Sequence, residues 1–519
     1  MVLRKFELTI IFLFILIILF VTIFFITVSQ GPIIELDSGA VQGKTVNGIK
    51  SYLGIPYAKP PINELRWKPP QEPVPWYGTK KTTEFGAACS QPQLFSSSSN
   101  EKMSEDCLYI NVWTSAKNKN ENLPVMVWIY GGAFLVGEAG LDPYHGANLA
   151  SEGVVVVTFN YRLGSLGFLA HPDLSQESLE NTSGNYGYMD QIEALRWVQR
   201  NIKQFGGDPN KVTIFGESAG SISVTSLMVS PLTKGLFQRV IAQSGTPVIN
   251  KYVFLNSTGP ITKAYEMGEK LEKAIGCDQV EDILFCLRNK TPEELILASN
   301  SGIGISIKGL EFSPVIDGYV IPEDPVNLFL EGKIQDVPLM IGTNANEGTI
   351  FVLDEGIMPD GSVIGNNEKN DESQAIRKYE YWVQEVFGEN SSQILEQFPT
   401  TKENIFSTFS EIYTLTLFAQ PAHLIAQSTA VKNPNVYLYQ FNHVPPAAES
   451  NILGACHGCE IPYVFGNLNQ EEYSETDFEL SEKMMNYWTN FAKTGNPNSE
   501  GLEEWPIYTG SEKEYLEFN

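Results

Sequence analysis

The sequence predicts an α/β fold: one central, mostly parallel sheet with helices on both faces and large helical insertions. Three observations predict it. Strand-like runs recur at Tyr109–Trp113, Val125–Ile129, Val154–Phe159, Val212–Phe215, Val240–Ala242, Leu339–Ile341 and Val436–Phe441. Several are continuous stretches of β-branched and aromatic residues, the pattern of strands buried on both faces of a parallel sheet. Helical patterns alternate with them, and one strand, Val212–Phe215, leads through Gly216-Glu-Ser-Ala-Gly220 into a helix-compatible run, Ser221 to Leu227.

Taken in order, Leu36 to Gly54 carries Gly, Thr and Val at hairpin-like spacing, and Ser96-Ser-Ser-Ser-Asn100 reads as a short flexible patch inside a loop. Tyr188 to Ile202 reads as one helix, ending before Phe205-Gly-Gly207. Glu266 to Ile275 is another, stopped by Gly276. Ile376, Tyr379, Val383 and Val386 recur at helical spacing, as do Leu480, Met484, Trp488 and Phe491. For the last helix, Thr476-x-x-Glu479 offers a capping box and Gly495 a stop. The segments 246–335 and 348–435 are expected to be largely helical and to form walls over a site. Past the N-terminal segment no repeat or interdomain linker is visible, so residues 31–519 are expected to be one domain.

The chain has 519 residues and a net charge of −26, with no basic patch that could displace counterions from phosphate. That argues against a nucleic-acid partner. The acidic balance reads as a soluble surface rather than as a device for cationic substrates. Leu8 to Val28 is a nearly unbroken apolar or Thr run behind Arg4 and Lys5. As a helix it would span about 31 Å, enough for a bilayer. Residues 1–30 are therefore expected to be a signal peptide, cleaved near Thr27-Val-Ser29, or a single-pass type II signal anchor with membrane anchorage through residues 8–28. Both place the rest in the secretory pathway, lumenal or extracellular. N-x-[S/T] sequons at Asn181, Asn256, Asn289 and Asn390 agree with that, as do the 6 cysteines.

Gly216-Glu-Ser-Ala-Gly220 fits G-x-S-x-G, a sharp strand-to-helix turn that lifts a Ser hydroxyl above a sheet. A nucleophilic Ser needs a base, an orienting acid and an oxyanion hole, and in folds built around this elbow they follow in the order Ser, acid, His. Of the 5 histidines, His423, His443 and His457 come after Ser218. His423 sits within a helical pattern and reads as a packed residue. His457, in the loop Gly454-Ala-Cys-His-Gly458, is favoured over His443, which directly follows the strand Val436–Phe441. For the acid, Glu347 in the loop after Leu339–Ile341 is favoured over Asp354, in a solvated stretch, and Asp317, in a turn. The oxyanion donors are expected from the N–H of Ala219 and from the Gly-rich loop Gly131-Gly132-Ala133 after the strand Pro124–Ile129.

These segments carry a resemblance. Tyr130-Gly-Gly-Ala-Phe134, the run from Phe205-Gly-Gly-Asp-Pro to Gly220, and Ser104-Glu-Asp-Cys-Leu-Tyr-Ile-Asn-Val-Trp113 resemble the type-B carboxylesterase/cholinesterase family of the carboxylesterase–lipase group. So do Asn160-Tyr-Arg-Leu-Gly-Ser-Leu-Gly-Phe168, Gly184-Asn-Tyr-Gly-Tyr-Met-Asp-Gln191 and His457-Gly-Cys-Glu-Ile-Pro-Tyr-Val-Phe-Gly466. The match runs in order from about Gly31 to the C-terminus. It implies an α/β-hydrolase fold and a serine esterase acting on neutral carboxylic esters through an acyl-enzyme. It further implies Ser218 as nucleophile, His457 as base, Glu347 as acid, and Gly132, Ala133 and Ala219 as oxyanion donors. Cys89–Cys107 and Cys277–Cys286 match the family's small-loop disulfides. The expected partner is a small-molecule ester, with no cofactor and no metal. A lipase-like neutral lipid esterase is the nearest alternative. A catalytically dead adhesion protein is the alternative from another class, and the retained triad residues disfavour it.

The chain also departs from the family pattern. Ala133 stands where the oxyanion loop usually has a third Gly, so its methyl is expected to narrow the room for bulky alcohols. Residues 90–106 contain no Trp and Ser97 holds the corresponding position, which removes the cation–π platform of choline-ester enzymes. The chain is also expected to carry no tetramerising or lipid-anchor tail beyond Trp505 and Tyr515, and nothing in it specifies an oligomeric state. Cys456 and Cys459 flank His457. A zinc site takes about four ligands and Cys-His-Gly-Cys offers fewer. The order is not C-x-x-C-H, so haem attachment is out. Two thiols, one buried and one partly exposed, are expected there, a bridge that constrains the His loop being the alternative.

Overall fold

The computed structural model describes residues 28–92, 102–248, 260–299, 310, 312–364, 372–446, 450–511 and 514–519. The signal or anchor run up to Thr27, the patch Ser96–Asn100 and the sequon Asn256 lie outside the described residues. Among the described residues no helix is long and apolar enough to cross a membrane.

In chain order the strands of the main sheet are β1 (Val28–Leu36), β2 (Gly39–Val46), β3 (Ile49–Pro56), β4 (Tyr109–Thr114), β5 (Leu123–Ile129) and β6 (Val155–Phe159). They continue with β7 (Gly207–Glu217), β8 (Arg239–Gln243), β9 (Leu339–Asn344), β10 (Val436–Phe441) and β11 (Tyr515–Phe518). Their spatial order is β1-β2-β3-β4-β6-β5-β7-β8-β9-β10-β11, and the short strand Thr79–Lys81 pairs with β2. From β1 to β6 neighbours run antiparallel; from β6 to β11 all are parallel. The parallel strands are the continuous apolar runs. Val125 to Ile129 and Val155 to Phe159 are fully buried, as strands covered on both faces must be. The expected hairpin is β2–β3, closed by Asn47 and Gly48, both at positive φ as a two-residue hairpin turn demands.

The helices that position the site are α1 (Tyr186–Asn201), α2 (Ala219–Leu227), α3 (Pro260–Ala274), α4 (Gly348–Asp354), α5 (Glu372–Phe387), α6 (Ile405–Thr414), α7 (Gln420–Ala430), α8 (Ile461–Phe465) and α9 (Glu475–Thr494). His423 lies in α7, as its surroundings suggest. The segment 348–435 builds a second, smaller core from α4, α5 and α6, centred on Val352, Tyr379, Trp382 and Phe409. A π-helical turn, Leu415–Ala419, joins α6 to α7. Helix α9 begins earlier than expected. Its capping box is Ser474 with Asp477, not Thr476 with Glu479, because Ser474 accepts from the Asp477 N–H while the Asp477 side chain takes the Ser474 N–H. Both pairs have the required spacing, and the helix starts at the first.

Three aromatic side chains fix the site's position. Trp128 on β5 and Phe215 on β7 have ring centroids 4.8 Å apart, and Phe465 of α8 packs on both, at 5.1 and 5.6 Å. Each aromatic buried this way contributes about 2–3 kcal/mol. Because α8 directly follows the segment 454–460, this contact holds that loop over the carboxyl ends of β5 and β7. Ligands bind at that end in open α/β sheets.

Candidate active site

The elbow at Ser218 follows from two close approaches. A Cβ on Gly216 would stand 2.6 Å from the carbonyl of Gly220, and one on Gly220 would stand 1.9 Å from the Ile129 oxygen. Only glycine lets β7 turn into α2 against β5. Ser218 itself takes φ 55° and ψ −123°, a conformation that costs a non-glycine residue about 1–3 kcal/mol. Its backbone N–H donates to the Gln243 carbonyl at 2.9 Å, tying the elbow to β8. Ser218 is half-buried, and its Oγ makes no hydrogen bond among the described residues.

Glu347 lies at the entrance to α4 with no exposed surface. Its Oε1 accepts from the Asn344 N–H at 2.7 Å, and its Oε2 lies 2.6 Å from His457 Nδ1. Both oxygens are therefore held, and the imidazole is held by one edge. On the other edge, Nε2 has no hydrogen-bond partner, although Glu217 Oε1 stands 3.2 Å from it. His443 goes elsewhere. Its Nε2 is 2.7 Å from Asp477 Oδ1, in the cap of α9. Asp317 accepts from the N–H groups of Tyr319 and Ile321 inside its own turn, and Asp354 is exposed near the end of α4.

The loop after β5 is also shaped by sterics. Gly132 has φ +106°, and a Cβ there would lie 2.1 Å from the Val136 oxygen. Ala133 and Phe134 follow at φ 56° and 59°. The Gly132 carbonyl accepts from the N–H groups of Leu135 and Val136. The N–H groups of Gly132 and Ala133 make no hydrogen bond among the described residues. Ala219 opens α2, where an N–H has no acceptor within the helix. A Cβ on Gly131 would meet Glu217 Oε2 at 2.7 Å, and one on Gly458 would meet Glu217 Oε1 at 3.3 Å. The Glu217 carboxyl thus occupies the space between the Gly-rich loop and the His457 loop.

Several groups that surround His457 have no sequence signal of their own. Glu460 is fully buried and accepts from Gln243 Nε2 at 2.9 Å and Asn344 Nδ2 at 2.6 Å. Asn344 also donates to the Cys456 carbonyl at 2.7 Å, and Trp488 Nε1 donates to Gln243 Oε1 at 3.0 Å. Phe351 and Phe418 place their rings 5.2 and 5.0 Å from the imidazole, forming an apolar wall. Glu460 lies inside the His457–Gly466 motif, and Phe351 lies four residues after Glu347. Their spacing shows neither contact, because α4 and the π-helical turn come from a distant part of the chain.

Electrostatics couple these groups. Burial pulls the His457 imidazole down, but Glu217, Glu347 and Glu460 outweigh it and hold it up at about 9. Burial pushes the Glu217 carboxyl up to about 8, against the pull of His457 and with help from Glu460 and Glu347. Burial also raises Glu460. A proton taken up by Glu217 removes the largest upward push on His457, so a neutral Glu217 favours a neutral imidazole.

The cysteines are all paired. Cys89 joins Cys107 and Cys277 joins Cys286; the former closes a loop worth about 3 kcal/mol in chain entropy. Cys456 joins Cys459, where two thiols were expected. The reason is local: the chain turns at His457-Gly458, the Cys459 N–H donates to the Cys456 carbonyl, and the two Cα atoms come within 5.3 Å. That separation is inside bridging range. Asn181, Asn289 and Asn390 are exposed.

The fold and the placement of a Ser elbow at the carboxyl end of its parallel strands define an α/β-hydrolase. The sequence profile of the carboxylesterase family matches residues 30–519. Cocaine esterase of Homo sapiens is 37% identical over 530 residues, covering 95% of this chain and 88% of that one. Para-nitrobenzyl esterase of Bacillus subtilis is 36% identical over 496 residues, covering 93% and 94%. A solved structure of PNB esterase matches with a TM-score of 0.75 at 34% identity, covering 92% of this chain and 93% of that one. The chain belongs to the carboxylesterase family and is a carboxylic ester hydrolase.

Proposed function

We propose that the chain hydrolyses neutral carboxylic esters through an acyl-enzyme, with Ser218 as nucleophile, His457 as general base and Glu347 as the acid that orients it. The observation that carries this reading is the 2.6 Å contact between Glu347 Oε2 and His457 Nδ1, which leaves Nε2 unpartnered. Ser218 Oγ attacks the ester carbonyl while Nε2 takes its proton. Glu347 keeps the Nδ1–H tautomer and stabilises the imidazolium. The N–H groups of Gly132, Ala133 and Ala219 receive the tetrahedral oxyanion, each worth about 10²–10³ in rate. His457 returns the proton to the departing alcohol, and water then cleaves the acyl-enzyme by the same route. The apolar faces of Phe351 and Phe418 favour a neutral substrate, as does a first disulfide loop without Trp.

The test is hydrolysis of p-nitrophenyl esters of rising chain length by wild type and Ser218→Ala. A loss of about 10⁴-fold or more in kcat is expected for Ser218→Ala; wild-type turnover by that variant would overturn the assignment. We place the protein in the secretory pathway, supported by the apolar run Leu8 to Val28, the paired cysteines and the exposed sequons. Sequencing the mature N-terminus decides between its two forms. Gln30 or Gly31 at the start means a cleaved signal, and a retained Arg4 means an anchor.

A further inference from the structure

His457 is carried on an unusually constrained turn. Cys456, His457, Gly458 and Cys459 form a four-residue turn closed by the 3.1 Å bond from the Cys459 N–H to the Cys456 carbonyl. Gly458 has φ +77°, as the third position of a type II turn requires. The residues before His457 are zipped onto the strand that leads to Glu347. The Asn346 N–H donates to the Ala455 carbonyl, Asn346 Oδ1 accepts from the Ala455 N–H, and Asn344 Nδ2 donates to the Cys456 carbonyl. Downstream of His457 the anchoring changes side: the Gly458 carbonyl accepts from the Ile461 N–H of α8, and the Glu460 side chain sits on Gln243 and Asn344, so neither Gly458 nor Cys459 is paired with the strand that leads to Glu347. The disulfide spans this gap, joining the anchored Cys456 to Cys459 across the turn that presents His457.

We propose that the Cys456–Cys459 disulfide is a positioning element for the reaction, stapling the His457 turn so that Nδ1 stays on Glu347 and Nε2 stays free, next to the residue that precedes Ser218. The proposal rests on His457 being the base. General-base transfer needs donor and acceptor within hydrogen-bond reach, and a displacement of about 1 Å costs on the order of 100-fold in rate. With the bridge opened, Gly458 has no Cβ to limit its backbone, and the turn keeps only its backbone bonds while the imidazole keeps its single hydrogen bond, to Glu347, beside Glu217 and the rings of Phe351 and Phe418. Opening is a two-electron reduction. A dithiol attacks one sulfur, the Cys456–Cys459 bond breaks, and the products are two cysteine thiols and the cyclic disulfide of the reductant. Cys456 is buried and Cys459 half-buried, so attack falls on the Cys459 side.

The experiment compares wild type, Cys456→Ser/Cys459→Ser and His457→Ala on one p-nitrophenyl ester, with and without dithiothreitol. The double variant is expected to lose about 10- to 100-fold in kcat with KM within about twofold, because only proton transfer is disturbed. Dithiothreitol should bring wild type down to the same level, reversibly on reoxidation, and leave the double variant unchanged. Peptide mapping after alkylation identifies which bridge has opened. Should the double variant fail to fold, this arm alone decides: loss of activity must follow labelling of Cys456 and Cys459. Loss that follows the other four cysteines overturns the proposal, and so does wild-type kcat in the double variant or in enzyme labelled at Cys456 and Cys459. If His457→Ala keeps wild-type turnover, the assignment of the base fails instead, which is a separate result.

Discussion

Glu217 Oε1 stands 3.2 Å from His457 Nε2, so the residue beside the elbow serine directs its carboxyl at the edge of the imidazole that Glu347 leaves free. A carboxylate there favours the imidazolium, and His457 is accordingly held up at about 9. The proposed reaction uses the neutral ring, so kcat/KM is expected to rise with pH as His457 loses its proton.

Replacing Glu217 with Gln keeps the shape and removes the charge. The largest upward push on His457 disappears, so its pKa falls and the acid limb of the kcat/KM profile moves to lower pH. The measurement is a pH–rate profile of wild type and Glu217→Gln on an uncharged ester. An acid limb that stays in place would show that Glu217 does not set the protonation of His457.

Ala133 holds a positive φ with a Cβ, in the loop whose neighbour Gly132 tolerates none. Ala133 is exposed, in the loop proposed to receive the oxyanion. Ala133→Gly keeps the N–H and removes the methyl. The expected outcome is faster hydrolysis of esters of hindered alcohols relative to esters of small ones, read as a ratio of kcat/KM values. An unchanged ratio would mean that the alcohol does not pass this residue.

Asp477 binds three side chains at once: His443 at 2.7 Å, Tyr463 Oη at 2.6 Å and Ser474 in the α9 capping box. Burial works against its charge, but the bonds from Ser474, Tyr463 and His443 win and hold the carboxyl down to about 2. The sign follows: its contribution is present above the unfolded value of about 3.9 and is lost as pH falls towards about 2. Asp477→Ala removes the carboxylate half of the capping box and strands the buried Tyr463 hydroxyl, at a cost of about 2–4 kcal/mol. Urea unfolding near pH 7 should show that loss, and it should shrink below pH 4. The kcat of the folded variant should stay near wild type, because Asp477 touches neither Ser218 nor His457.

Much of this site was legible in the chain because its parts are local. Val212–Phe215 followed by Gly216-Glu-Ser-Ala-Gly220 is a strand, a turn and a helix in sequence, and its two glycines are dictated by the approach of Ile129 and of the elbow to itself. The choice between His443 and His457 was not local. Both follow β10, and the structure separates them because Asp477, from α9, lies against His443. The α9 capping box has the same character: two candidate pairs share one spacing, and the bonds from Tyr463 and His443 to Asp477 come from outside the helix. The pairing of Cys456 with Cys459 depended on a turn geometry that His-Gly permits but does not announce.

The sequence by itself determined the alternation of strands and helices, the elbow, the Gly-rich loop and the residues available as acid and base. Apolar periodicity and glycine sterics act over a few neighbouring residues, so a single chain displays them. The tertiary structure alone decided which side chains meet at His457. Glu217, Glu347, Glu460, Phe351 and Phe418 come from four segments, one of them His457's own loop, brought together when Phe465 packs on Trp128 and Phe215 and the second core folds around Trp382. Burial then converts those contacts into shifted protonation equilibria, which no spacing along the chain encodes.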